Sequence, residues 1–179
     1  MRRRGRLLVG AVIAGTLVLG AGLYWFQPWK LWQSETVSES LPAAAAPKAP
    51  AGSGGGSAAP AGPQTVSSGE LISHEHATTG TVKVIRLADG SHTLRLENLD
   101  TSNGPDLRVL LSDAPVKEGV AGWRVFDDGK YVTLGKLKGN KGDQNYELPP
   151  GVDLTQYTSV SIWCDRFDVS FGAAALAKA

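Results

Sequence analysis

Apolar and polar residues alternate over short stretches in the second half of the chain, as in strands that are buried on one face. The alternation predicts strands at residues 81–87, 92–99, 107–112, 123–126 and 131–134. Turn-forming residues separate these stretches; one pair is Asp89-Gly90, whose glycine supplies the positive φ angle that a tight hairpin needs. Because no amphipathic helical stretch intervenes before 173–179, we expect one all-β domain, an antiparallel sandwich or barrel.

The N-terminus follows a different pattern, an uncharged and largely apolar run over residues 7–26. Such a helix rises about 1.5 Å per residue and spans about 30 Å, the thickness of a bilayer's hydrocarbon core. Four arginines lie in the basic tail 1–6, so we expect the tail in the cytoplasm and the rest of the chain outside. The alternative is a cleaved signal peptide, whose apolar region is shorter. We predict an uncleaved signal-anchor that holds the protein in the cytoplasmic membrane as a single-pass protein.

Residues 27–64 are expected to be a juxtamembrane segment and a linker. Trp25, Trp29 and Trp32 recur at helical spacing and are typical of an aromatic belt at the membrane surface. From residue 33 to 63 the chain is rich in Ala, Pro, Gly and Ser, so it cannot bury enough apolar surface to offset the entropy of ordering. This composition predicts a disordered tether that carries the β domain, residues 65–179.

The charge balance bears on the class of partner. The whole chain has 18 Lys and Arg against 17 Asp and Glu, whereas from Gly69 onward there are 12 against 15. The small excess of positive charge therefore belongs to the N-terminal tail, and the domain itself is slightly acidic. A nucleic-acid partner is not expected, because binding to nucleic acid requires a clustered basic face.

The last two strands carry the only cysteine of the chain, Cys164. Their apolar residues change parity across Asp165-Arg166, which a two-residue hairpin would explain. That hairpin predicts three core-facing pairs, Cys164 with Phe167, Ile162 with Val169, and Val160 with Phe171. It leaves Trp163 on the other face, opposite Asp168. A bulge in one continuous strand is the alternative, since Asp-Arg fits the favoured turns poorly.

A lone cysteine outside the reducing cytoplasm can have one of three roles. It can be a buried packing residue, since unpaired cysteine is among the most buried residue types. It can form a disulfide between two chains, a less favoured alternative here. It can also be a working thiol or a ligand. A reactive thiolate needs a positive neighbour, and Arg166 is the only cation nearby in the sequence.

Ordered matches from Gly69 to Leu176 give the chain a resemblance to the DM-13 family of electron-transfer domains. The residues that carry the resemblance are His76, Thr79-Gly80-Thr81, Leu94-Arg95-Leu96-Glu97-Asn98, Ser102-Asn103-Gly104-Pro105-Asp106-Leu107, Leu134-Gly135-Lys136-Leu137-Lys138-Gly139, Gly142-Asp143-Gln144-Asn145-Tyr146, Val160-Ser161-Ile162-Trp163-Cys164-Asp165-Arg166-Phe167 and Phe171-Gly172-Ala173-Ala174. The resemblance implies a β-sandwich-like domain in which Cys164 is a redox thiol or a haem ligand.

The resemblance makes haem the candidate cofactor, although the sequence does not itself name one. A covalent c-type haem is not expected, because the chain has no Cys-x-x-Cys-His motif. A second axial ligand could come only from His74, His76 or His92, since Met1 lies in the cytoplasmic tail. His74 and His76 would share one face of a strand, but two ligands do not close a metal site, so no metal site is predicted.

These observations lead to one functional hypothesis and one alternative. The hypothesis is a membrane-anchored extracytoplasmic domain that takes part in electron transfer or thiol redox chemistry with an unidentified partner. Cys164 is then the redox residue, His76 a cofactor-binding residue, and Trp163 and Phe167 the walls of a pocket. The alternative is a non-catalytic β module for binding or adhesion, in which Cys164 is structural. Hydrolase motifs are absent from the sequence.

Overall fold

The computed structural model describes residues 2–42 and 62–179. It confirms the prediction of an all-β domain preceded by one apolar helix. Most of the predicted linker, residues 43–61, lies outside the described residues.

The apolar run forms the helix α1 (Arg2–Phe26), and a short 3-10 helix, Pro28–Trp32, follows it. Gln27 between them has a left-handed backbone with φ of 44°, and Pro28 has no N–H group to continue the helical hydrogen bonds. The stretch Leu7–Lys30 has a mean hydropathy of 2.1, and its apolar side chains are exposed. Its length and composition suit a membrane anchor or a signal sequence.

Ten strands form one sheet whose neighbours are antiparallel, apart from the parallel pair β1–β7. The order across the sheet is β1-β7-β4-β3-β2-β9-β8-β5-β6, with β10 also paired to β2. The strands are β1 (Thr36–Ser38), β2 (Gln64–Ser73), β3 (Thr79–Arg86), β4 (His92–Asp100), β5 (Leu107–Ser112), β6 (Tyr131–Lys136), β7 (Lys141–Glu147), β8 (Ser159–Cys164), β9 (Val169–Ala175) and β10 (Ala177–Lys178).

The sheet curls at β2, which belongs to both halves. Residues 64–70 of β2 pair with β3, whereas residues 71–73 pair with β9. The change occurs beside Gly69, where a Cβ atom would collide with the carbonyl oxygen of Ala175. Glycine therefore allows the close approach of the two backbones that the bend needs. The result is a half-barrel whose inner face holds the main core.

Inward-facing residues of both halves meet in this main core. Leu96 from β4, Val109 from β5, and Ile162 and Cys164 from β8 are all 0 % exposed. Each fully buried side chain of the Val or Leu type contributes about 1.5–3 kcal/mol relative to an exposed one. The core thus spans the curl and fixes the inward face of β8.

A second, smaller cluster covers the outer face of β5 and β8. Trp163 and Leu110 point outward into it, and Phe126 from the β5–β6 connection packs over them. The prediction of a strand at 123–126 is therefore wrong. The connection instead contains a 3-10 turn, Gly119–Gly122, followed by further turns. Its apolar residues cover the sheet rather than join it, which leaves every residue of β8 buried.

The predicted hairpin at Asp89-Gly90 is confirmed. The Leu87 N–H donates to Ser91 O at 2.8 Å, and Gly90 has the expected positive φ of 85°. This turn joins β3 to β4 at the end of the sheet opposite the β8–β9 turn. The Asp89-Gly90 turn and Cys164 therefore lie at opposite ends of the sheet.

The tether starts later than the sequence suggests, because residues 36–38 form β1. The Val37 methyl group lies where Gly139 leaves room, since a Cβ on Gly139 would be only 2.8 Å from Val37 Cγ2, and a Cβ on Gly142 would collide with the Val37 carbonyl oxygen. Next to this strand, the Glu39 carboxylate accepts two hydrogen bonds from Lys138 Nζ, at 2.8 and 2.9 Å. The juxtamembrane segment is thus fastened to the edge of the sheet.

Candidate functional site

The β8–β9 turn shapes the region around Cys164. The turn has four residues, 165–168, and Cys164 pairs with Val169 rather than with Phe167. The predicted two-residue hairpin is therefore wrong in its register. Its poor turn chemistry is the reason: the longer turn places the positive φ at Asp168, 49°, and aspartate tolerates that conformation better than most residues. The alternative, a bulge at Asp165-Arg166 in one continuous strand, is also wrong, because β8 and β9 are separate antiparallel strands; their pairing has a register shift elsewhere, at Phe171 in β9.

Cys164 is sealed in the main core. Its side chain is 0 % exposed and shares the core cluster with Val169 and Phe171. Burial raises the pKa of the thiol, and the nearby Glu75 carboxylate raises the pKa further. Backbone hydrogen bonds from Phe167, Arg166 and Asp106 act against this rise without reversing it. The sulfur is therefore a neutral thiol at neutral pH.

Arg166 does not activate the thiol. Its guanidinium donates to the carbonyl oxygen of Trp25 at 2.7 Å and lies over the Trp25 ring, 5.3 Å from the centroid. The positive charge of Arg166 thus interacts with the C-terminal end of α1, where carbonyl groups lack helical partners. Phe167 stacks on Phe26 in the same interface, with ring centroids 5.7 Å apart. The turn beside Cys164 is docked on the end of the helix.

The structure separates the three histidines. The imidazole of His74 is buried, with Nδ1 2.8 Å from Ser170 Oγ and Nε2 3.1 Å from the Lys117 carbonyl oxygen. Burial lowers the pKa of His74, so its ring is neutral and both nitrogens are engaged. His92 begins β4 near the opposite end of the sheet.

His76 does not share a face with His74, because β2 ends at Ser73 and the strand alternation ends with it. Its ring leaves the strand path and packs on Phe171, with centroids 3.9 Å apart. Within residues 2–42 and 62–179, no group of three or more His, Cys, Asp or Glu residues is arranged to hold a metal ion.

His76 opens onto an apolar cleft of about 290 Å³. The cleft lies between the end of α1 and the Cys164 end of the sheet, and it is lined mainly by Phe26, Pro28, His76, Pro105, Phe167 and Phe171. Among the four residues proposed for the site, His76 and Phe167 line the cleft, Cys164 lies behind its wall in the core, and Trp163 points to the opposite face of the sheet.

The residues present do not fit a haem ligated by Cys164. A haem ligand needs an open coordination path, whereas the Cys164 side chain has no exposed surface. His74 has no free ring nitrogen, and His92 is too far along the sheet to share a ligand with Cys164. A cavity of about 290 Å³ is also at the lower limit of small-molecule sites.

Sequence reasoning missed two walls of the cleft, the end of α1 and the loop that contains Gly104. A Cβ on Gly104 would lie 3.0 Å from Phe171 Cζ and 3.1 Å from Leu107 Cδ2, so a larger residue would displace this wall. The motif Asn103-Gly104-Pro105 was visible in the sequence as a turn. Its packing against Phe171, over sixty residues away, was not.

A family model described as electron transfer DM13 matches residues 70–176, which include all strands from β3 to β9 and the Cys164 turn. No curated protein and no solved structure matches the chain. α1 and β1 lie outside the matched region.

Proposed function

The chain belongs to the electron transfer DM13 family, and from this premise we propose that it exchanges electrons at the Cys164 end of its sheet. We also propose that α1 is a signal-anchor with its N-terminus in the cytoplasm, so that the domain works at the outer surface of the membrane. The basic tail before α1 and the length of its apolar run support this orientation.

One observation carries the proposal. The turn beside Cys164 contacts α1, through Arg166 on Trp25 and Phe167 on Phe26. The only sulfur of the domain is therefore one turn away from a bilayer-length helix. This placement suits a domain that exchanges electrons with a partner in or at the membrane.

Burial determines how Cys164 would react. Exchange requires the turn to open, the thiol to lose its proton to solvent, and the thiolate to attack one sulfur of a partner disulfide. A new S–S bond forms while the partner's S–S bond breaks. The departing sulfur leaves with the electron pair and takes a proton from solvent. Cys164 is thereby oxidised to a mixed disulfide, and the partner is reduced.

A second candidate function is a non-catalytic binding module in which Cys164 is structural. The complete burial of the side chain and the raised pKa of the thiol favour this reading. The two candidates differ in whether the sulfur can react while the domain stays folded.

The test uses the full chain in lipid nanodiscs, equilibrated with glutathione buffers of increasing oxidation. We expect Cys164 to gain one glutathione reversibly, as measured by mass spectrometry, at conditions where circular dichroism reports a folded domain. The variant I162V is the control, because it perturbs the same core by about 0.5–1.5 kcal/mol and keeps the sulfur. An unmodified Cys164 at every glutathione ratio would overturn thiol exchange and leave the binding module.

A further inference from the structure

One wall of the cleft beside His76 comes from the end of α1. Phe26 is the last residue of α1 and Pro28 starts the following 3-10 helix, and both line the cleft. If α1 spans the bilayer, Phe26 lies at the level of the lipid headgroups. The cleft then opens where a molecule dissolved in the bilayer can enter it without crossing water.

The walls are suited to a planar ring. His76 and Phe171 form one aromatic pair at 3.9 Å, and Phe26 and Phe167 form another at 5.7 Å with an interplanar angle of 22°. Aromatic faces stabilise a further ring by offset or edge-to-face packing. The volume of about 290 Å³ suits one or two fused rings better than a larger cofactor.

The ionisable side chains that line this apolar space are His76, Lys30 and Glu75, two donors beside one carboxylate. His76 Nε2 is 3.8 Å from the Glu75 carboxylate, too far for a hydrogen bond, so it can donate to a ligand. Lys30 Nζ is 3.5 Å from the Pro105 carbonyl oxygen, a long contact that leaves two of its three protons available. Both are donors. A ligand with carbonyl oxygens would pair with them, whereas a bare acyl chain would leave them without partners.

The cleft also borders the cluster that contains Cys164. Phe171 belongs to that cluster, and Phe167 packs against it. A ring bound in the cleft would therefore share its aromatic wall with the proposed redox residue.

We propose that this cleft binds the head ring of a lipophilic quinone, with its tail in the bilayer and its carbonyl oxygens facing His76 and Lys30. The proposal rests on the proposed electron-transfer role, and it names the class of membrane molecule that meets the Cys164 end.

The experiment is photolabelling of the full chain in phosphatidylcholine nanodiscs with an azidoquinone that carries a decyl tail. We expect label on the peptides that contain Phe26 to Lys30, His76 and Phe167 to Phe171. A decyl-tailed benzoquinone should compete for the label, and decanol, which has the tail without the ring, should not. Label spread evenly along α1, or equal competition by decanol, would overturn the proposal, since either result means simple partitioning into the bilayer.

A matched pair of variants tests the donor. H76L keeps a side chain of similar bulk and removes both the N–H group and the aromatic ring, so the affinity for the benzoquinone should fall at least about tenfold, the worth of one hydrogen bond in a shielded site. H92L removes a histidine outside the cleft and should leave the affinity unchanged. An unchanged affinity in H76L, with a folded domain by circular dichroism, would overturn the assigned orientation and with it the proposal.

The two proposals fail separately. Labelling measures binding and does not depend on the reactivity of the thiol, whereas glutathione exchange does not require a quinone. Absence of specific label with reversible glutathionylation would remove the quinone site and leave the redox role. Absence of glutathionylation would remove thiol exchange whatever the labelling shows.

Discussion

Arg166 illustrates how single side chains set the properties of the site. As the cation next to Cys164 in the sequence, it was the expected activator of the thiol. In the structure its charge is used at the end of α1 instead. The sulfur therefore keeps a raised pKa, and its access depends on whether the turn stays docked.

We expect R166A to speed the reaction of Cys164 with glutathione disulfide several-fold. The variant removes the contacts to the Trp25 ring and carbonyl group, which hold the turn closed, and leaves the core intact. The rate of mixed-disulfide formation in nanodiscs measures the effect. K130A is a control at the far end of the sheet. Equal rates in R166A and the unmodified chain would mean that docking of the turn does not shield the sulfur.

His74 should make the domain less stable in acid. Its pKa is lowered by burial, so the unfolded chain binds the His74 proton more readily than the folded domain does. The contribution of neutral His74 to the stability of the folded domain is fully present above the unfolded pKa of about 6.5. It is lost as pH falls through the folded pKa. Denaturant unfolding at pH 7.5 and pH 5 measures the loss. H74Q should reduce the difference between the two pH values, whereas H92Q should retain it.

Among the secondary-structure elements, those that neighbouring residues determine were predictable, and those that depend on distant residues were not. The hairpin at Asp89-Gly90 depends on neighbouring residues and was predicted correctly. The strand at 123–126 was not, because an apolar run cannot reveal whether it joins a sheet or covers one. β1 was missed because its stability comes from Gly139 and Gly142, about a hundred residues away.

β1 offers a direct test of this long-range fastening. We expect V37D to detach the strand, because it places a charge where the Val37 methyl group packs against Gly139. Hydrogen exchange should then accelerate at the Lys141 amide, which donates to Glu35 O at 3.1 Å, and should be unchanged in β3. S38A, at an exposed position, is the matched control. If the Lys141 amide keeps its full protection from hydrogen exchange in V37D, the packing of Val37 against Gly139 does not hold β1 in place.

At the scale of the whole molecule, β1 and the Arg166 contact act together. β1 follows the 3-10 helix by three residues and is paired to one edge of the sheet, while the Cys164 turn contacts the end of α1. The sequence predicted α1 and the domain separately, but a composition rich in Ala, Pro, Gly and Ser suggested free movement between them. Two attachments instead orient the Cys164 end towards the helix.

This orientation predicts which end of the domain is near the bilayer. In nanodiscs that contain a lipid with a spin-labelled headgroup, NMR signals of Phe167 and His76 should broaden strongly. Signals of the turn at Asp89-Gly90, at the opposite end of the sheet, should broaden little. Equal broadening at both ends would mean that the domain tumbles freely on its tether.

Electron exchange at the Cys164 end is the property on which the proposed function depends. The most direct measurement is a coulometric titration of the full chain in lipid nanodiscs, with redox mediators that include glutathione. We expect the wild-type chain to take up and release electrons reversibly, C164S to lose this exchange, and I162V to retain it. A wild-type chain that exchanges no electrons, or a C164S chain that exchanges the same number, would contradict electron exchange at Cys164.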